Sequence, residues 1–135
     1  MYFTPHYRDG VTRCAFDLHV EPGGEFYQEW RDSESPYRTG PSRWVSGGKL
    51  RAAGKELLAV PSGQWVHFEI SAGLGSQSTA TWVLSATLPG QTAKKFTGLF
   101  CHPQWKGLDW LGFVSNANGK TVYYLDNLTL RSEAR

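Results

Sequence analysis

The sequence predicts an all-β protein, one antiparallel β-sandwich of two sheets built in the manner of a jelly roll. Three observations carry that reading. Apolar and polar residues alternate in short runs, as in strands with one buried face. Fifteen glycines and seven prolines are spread along the chain as turn punctuation rather than gathered into a linker. No segment keeps apolar residues at three- and four-residue spacing over a helical length. The nearest, SGGKLRAAGKELLAV, is interrupted by its own glycines.

Taken in order, TRCAFDLHV places Cys14, Phe16, Leu18 and Val20 on one face, with Arg13, Ala15, Asp17 and His19 on the other. The turn EPGG leads into EFYQEWRD, where Tyr27, Glu29 and Arg31 alternate with Phe26, Gln28 and Trp30. SESPYRTGPS reads as a loop or bulged edge. Short strands follow at RWVS, KLRAA and ELLAV, and Gly47-Gly48 suits a two-residue hairpin turn between the first two. QWVHFEISA turns Val66, Phe68 and Ile70 inward and Trp65, His67, Glu69 and Ser71 outward. GLGSQS is a glycine-rich loop between strands; it opens no helix, which removes a phosphate-binding reading. TATWVLSATL buries Ala80, Trp82, Leu84, Ala86 and Leu88, and Pro89-Gly90 ends it. AKKFTGLF, an aromatic loop CHPQWKG and DWLGFVS come next. Asn118-Gly119 is the strongest hairpin signal of the chain and leads into KTVYYLDNLTL.

A chain of 135 residues is the size of one domain, residues 1–135. Met1 opens almost directly into strand-like sequence, so the expectation is a domain that forms part of a longer protein. Fourteen basic residues against twelve acidic ones, without a basic stripe, argue against a nucleic-acid partner. No apolar run is long enough for membrane insertion. Cys14 and Cys101 match no metal or redox spacing and read either as buried thiols or as a disulfide between an early and a late strand.

The segments GQWVHFEISAGLG, TWVLSATLPG and LDWLGFVSNANGKTVYYLDNLTL together resemble the concanavalin-A-like, or laminin-G-like, jelly-roll domains of bacterial extracellular, polysaccharide-associated proteins. That resemblance covers most of the chain. It implies a carbohydrate-binding, lectin-like accessory domain, extracellular or periplasmic, beside neighbouring domains of its parent protein, and it transfers no catalytic residue. YYLDNL also resembles the last strand of carbohydrate-binding modules, whose acidic residue ligates a structural calcium. By position that residue is Asp126, with Asp9 and Asp17 as candidate partners.

Asp126 matters on its own terms, because strict alternation puts it in the apolar row of Val122, Tyr124, Leu128 and Leu130. It is expected to be buried, and either to accept backbone hydrogen bonds or to hold calcium. A second constellation follows if the early strands and the Trp65 strand share one sheet. Tyr27, Glu29, Arg31, Trp65, His67, Glu69 and His19 then meet on one exposed face with Arg13 and Asp17. Flat rings there would serve sugar C–H faces, and planar polar groups would serve hydroxyls. Glu29 with Glu69 could form the carboxylate pair of a glycosidase, and Tyr27, His67 and Arg31 could serve a lyase. His19, His67 and Glu69 are the corresponding zinc candidates. No motif marks a catalytic set, so the expected function is non-catalytic glycan or polysaccharide binding. The alternatives are a purely structural sandwich packed on a neighbouring domain and a small glycan-cleaving enzyme. Asn127-Leu128-Thr129 matches a glycosylation sequon inside a predicted strand.

Overall fold

The structure, a computed structural model, describes residues 1–114 and 123–133. Eleven strands run in chain order as β1 (Tyr2–Phe3), β2 (Gly10–Val20), β3 (Phe26–Arg31), β4 (Thr39–Ser46), β5 (Lys49–Ala52), β6 (Lys55–Ala59), β7 (Trp65–Leu74), β8 (Thr81–Thr87), β9 (Lys94–Phe100), β10 (Trp110–Val114) and β11 (Tyr123–Glu133). The helical content among the described residues is one 3-10 turn, Gly75–Gln77, inside the predicted glycine-rich loop. Two antiparallel sheets result. One has six strands in the order β1-β10-β3-β4-β5-β6, the other five in the order β11-β2-β7-β8-β9. The expected two-sheet sandwich is what forms.

Alternation explains the core. The predicted inward rows of β2, β3, β7 and β8 are buried except for Ala80, which precedes β8 at φ 57° and is half-buried; Phe16, Phe68, Leu84 and Trp30 are wholly inaccessible. Phe16 meets the opposite sheet through Phe26 at 6.0 Å and through Phe113 edge-on at 5.3 Å. Such edge-to-face contacts are favoured by the ring quadrupole beyond the area they bury. Trp105, from the predicted aromatic loop, also belongs to this core: it packs against Trp30 and fills the space above Gly40, where a Cβ would overlap its indole.

The turns follow their residues. Gly47-Gly48 and Ala53-Gly54 close two-residue hairpins with positive φ at both positions, the geometry that matches strand twist. Strand β4 starts earlier than the sequence suggested. Glu29 pairs with Ser42 and Arg31 with Thr39, so Gly40-Pro41 form a bulge that admits a proline into the sheet. The connection over Glu21–Gly24 is not a hairpin. It carries the chain from the five-stranded sheet, where β2 lies between β11 and β7, to the six-stranded sheet, where β3 lies between β10 and β4.

Strand β11 corrects the expectation for Asp126. Asp126 pairs with Asp17 and Thr129 with Ala15, leaving two residues of β11 opposite Phe16 alone. This bulge, with Asn127 at φ 54°, reverses the alternation. Tyr123 and Leu125 face the core before it, and Leu128 and Leu130 after it. Asp126 is exposed and, among the described residues, accepts only the neighbouring Asn127 N–H, at 2.8 Å. The Asn118-Gly119 turn lies outside the described residues.

Arg43 is the anomaly of the interior. Wholly buried on β4, it donates through Nε to Gln28 Oε1 at 2.9 Å and lies 4.2 Å from the Phe68 ring centre and 4.7 Å from that of Phe16. Burial pushes its pKa down to about 9, so it remains charged at neutral pH. The neighbouring Cys14 gives it no counter-ion, because burial pushes that thiol up to about 12. Cys14 and Cys101 are both free thiols. A buried cation without a carboxylate is stabilised here by ring faces and one amide. Arg43→Met, similar in length and free of desolvation cost, is expected to leave stability within about 1 kcal/mol of the parent or to raise it. Arg43→Ala, which opens a cavity between the sheets, is expected to lose about 3 kcal/mol. Urea denaturation of the two variants checks the contrast.

Candidate functional site

Because Glu21–Gly24 is a bridge between sheets, the sequence-predicted constellation is divided between two opposite faces. His19, Trp65, His67 and Glu69 point outward from the five-stranded sheet together with Asp17; Tyr27, Glu29 and Arg31 point outward from the six-stranded sheet. A short glycine turn serves a hairpin or a sheet-to-sheet arch equally well, so alternation alone fixes the side of each residue but not its sheet. Glu29 and Glu69 therefore cannot flank one glycosidic bond, and Tyr27, Arg31 and His67 cannot serve one lyase centre.

On the five-stranded side, register sets Tyr124, His19 and Trp65 in one cross-strand row, with His19 5.2 Å from Trp65 and 5.7 Å from Tyr124. The next row holds Asp126, Asp17 and His67. His67 donates from Nδ1 to Asp17 Oδ1 at 2.7 Å and from Nε2 to Glu69 Oε1 at 3.2 Å, while Asn127 Nδ2 donates to Asp17 Oδ2 at 2.6 Å. Acceptors on both nitrogens favour the imidazolium. Burial by itself would lower the His67 pKa, but the hydrogen bonds and charges of Asp17 and Glu69 outweigh it and raise the value. Burial likewise opposes, and the Asn127 and His67 hydrogen bonds overcome, a net lowering at Asp17. With both ring nitrogens engaged, His67 offers no lone pair to zinc. Among the described residues no group of three His, Cys, Asp or Glu side chains is arranged to hold a metal ion, for zinc here or for calcium around Asp126.

The six-stranded side is built differently. Pairing places Val114, Tyr27, Trp44, Arg51 and Glu56 in one row across β10, β3, β4, β5 and β6. Tyr27 and Trp44 stand with rings nearly parallel, 6.2 Å apart. In the adjacent rows, Trp110 lies across Gly112, where a Cβ would overlap the indole, and Tyr2 stacks on the same ring at 6.0 Å. The Arg31 guanidinium is held between Trp110 and Tyr37, 4.0 and 4.1 Å from their ring centres, and donates to Glu29 at 2.9 Å. Thr39 donates to the other Glu29 oxygen at 3.1 Å. Burial, and next the Glu29 charge, raise the Tyr27 pKa, so it is a neutral hydroxyl.

Tyr37 reaches this face because its loop is tied by Asp32, which accepts from the Arg38 backbone N–H at 2.8 Å, from Arg38 Nε at 2.6 Å and from the Glu34 N–H at 3.2 Å. These bonds and the Arg38 charge overcome the effect of burial and lower the Asp32 pKa. Three concavities of about 370, 380 and 430 Å³ adjoin on this side, each pair sharing one ring: Tyr27, Tyr37 or Trp44. Sequence reading missed Trp44, Trp110, Tyr37 and Asp32. Alternation within RWVS does signal an outward Trp44, and the Trp-x-Gly spacing of DWLGF signals a ring laid over a glycine on the same face.

The sequence matches no protein-family profile and no curated protein. Solved structures share its fold. Chicken galectin 2 aligns over 96% of this chain and 95% of its own, at 9% identity and a TM-score of 0.54. The catalytic domain of a glycoside hydrolase family 131 protein from Coprinopsis cinerea aligns over 93% of this chain at 12% identity and a TM-score of 0.52, and the chain spans 57% of that domain. At such identities the likeness is one of fold, a two-sheet jelly-roll sandwich.

The Asp17–His67 pair predicts a pH signature. A histidine raised above its ordinary 6.5 contributes stability below that value and loses it as pH rises through the folded pKa. An aspartate lowered beneath 3.8 contributes above that value and loses the contribution as pH falls through the folded pKa. The pair therefore helps most between these limits and fades above neutrality. The melting-temperature gap between parent and Asp17→Asn is expected to be widest near about pH 5 and to shrink by about pH 8, with the whole effect under about 1 kcal/mol at these solvent-screened positions.

Proposed function

We propose that the chain is a non-catalytic carbohydrate-binding domain whose glycan surface is the outer face of the six-stranded sheet. The observation that carries this is the set of water-facing rings, Tyr27, Trp44, Tyr37 and Trp110, grouped around the Glu29–Arg31 ion pair and its adjoining hollows. Pyranose rings present flat C–H faces that bury apolar area on such rings. Their hydroxyls can then bond to Glu29, Ser42 and Arg51, exchanging water for protein at small net gain. The fold shared with a galectin and with a glycoside hydrolase domain accords with this reading. Trp65, His67, Glu69 and His19, first grouped with the same ligand, occupy the opposite face and have no part in this surface. On this reading the domain works in the extracellular or periplasmic space, as one part of a secreted protein.

Magnitudes decide which substitution is informative. Removing a ring that covers about 100 Å² of sugar costs about 2.5 kcal/mol at ~25 cal/mol per Å², or roughly 70-fold in affinity. On polysaccharide affinity gels, Trp44→Ala should thus abolish retention of the domain, while Trp65→Ala should run with the parent. Loss with Trp65→Ala and retention with Trp44→Ala would move the ligand to the other sheet. Gly112→Ala should weaken retention several-fold by lifting Trp110 from its seat, with Tyr2 and Arg31 displaced along with it. Parent-like retention of this variant would remove Trp110 from the surface.

A further inference from the structure

The five-stranded sheet carries a concavity of about 570 Å³, and it differs in kind from the aromatic face. Its floor follows two cross-strand rows, Thr129, Ala15, Glu69 and Ser85 in one, which Lys95 ends, and Arg131, Arg13, Ser71 and Val83 in the other. Its rims are cationic: Arg13 and Arg131 side by side on β2 and β11, and Lys95 on β9. One carboxylate, Glu133, serves both arginines, at 3.3 Å to Arg13 and 3.0 Å to Arg131, which leaves that end positive. Glu69 stands between Ala15 and Ser85, hydrogen-bonded to His67 but largely exposed, one negative charge against the three cationic groups. Among the described residues Lys95 forms no ion pair. Three inter-strand steps separate β2 from β9, so the two cationic ends stand roughly 14 Å apart.

From this arrangement we infer a second binding groove, for a linear polysaccharide bearing repeated sulfate or carboxylate groups. Two cationic ends that far apart fit a ligand with anionic groups at intervals rather than one small anion. The hydroxyls of Ser71, Ser85 and Thr129 between them suit the hydroxyls of a sugar backbone. An acidic peptide is disfavoured, because the groove lies over β2, β7 and β8, inner strands whose backbone groups are bonded on both sides and cannot take up an added strand. Nucleic acid is disfavoured by the absence of a ring along the floor for bases to stack on. This inference is independent of the glycan reading of the aromatic face.

The test uses the whole chain with Trp44→Ala as background, so that the aromatic face does not contribute. Fluorescence anisotropy is read with labelled dextran, carboxymethyl-dextran and dextran sulfate, one backbone in neutral and charged forms, at about 0.05 M and about 0.3 M salt. One or both charged polymers should bind and weaken with salt, and dextran should not bind; which of them binds identifies the anionic group. Arg13→Gln with Lys95→Gln should weaken binding at least tenfold, and Ser85→Gln, which fills the floor without changing charge, should weaken it as well. Lys55→Gln with Lys106→Gln removes equal charge from exposed positions elsewhere and should change binding less than twofold. Equal loss in that control, an unaffected Ser85→Gln, polyglutamate binding as tightly as the charged dextrans, or no binding at all would overturn the proposal.

Discussion

Everything on the surface of this domain depends on how the two sheets are held face to face, and the guanidinium of Arg43 stands at that junction. It rises from β4 of the six-stranded sheet, donates to Gln28 of β3, and meets Phe16 of β2 and Phe68 of β7 across the interface. A charge in that position is costly unless the surrounding rings offer their negative faces, and they can do so only in one relative placement of the sheets. Buried polar groups can fix such placements even when they add little stability. Arg43 fits that role, since its neighbours in β4, Ser42 and Trp44, are the residues that face outward beside Tyr27.

The two outer faces then become chemically separate. Inward residues from both sheets fill one core, so outward residues on β3 and on β7 are divided by its full thickness, about 10 Å between sheets. One face presents rings packed against one another and against an arginine. The other presents an aromatic row at one end, a carboxylate–imidazole–carboxylate chain beside it, and, toward the arginines, a groove in which small side chains surround the Glu69 of that chain. The glycosidase pair and the lyase set that the sequence put forward are each split between the two faces.

Much of the fold was legible in the sequence because burial has a period of two along β2, β3, β7 and β8. Cys14, Phe16, Leu18 and Val20 in β2, and Val66, Phe68 and Ile70 in β7, read correctly for that reason. Three features were not legible. EPGG looks the same whether it folds a hairpin or arches between sheets, since the backbone needs a glycine at positive φ in both. Asn127 in the left-handed region hides a bulge that sequence reads as continuous alternation, and this exchanged the sides of Asp126 and Leu125. Trp105 sits in what reads as a loop, yet Gly40, sixty-five positions earlier, supplies the space that buries it. Such long-range complementarity leaves no local pattern. The candidate site suffered most, because it was inferred from which strands are neighbours, and pairing is set by the whole topology.

The seat of Trp110 on Gly112 has a thermodynamic consequence. An exposed tryptophan ordinarily samples several rotamers, and a ligand that needs one of them must immobilise the ring at about 0.5–1.5 kcal/mol. Here the missing Cβ lets the indole lie flat on the sheet, with Tyr2 and Arg31 stacked on it, so folding has already selected the rotamer. A partner that lands on the ring meets a rigid surface, and the entropy of arranging it has been settled before the encounter.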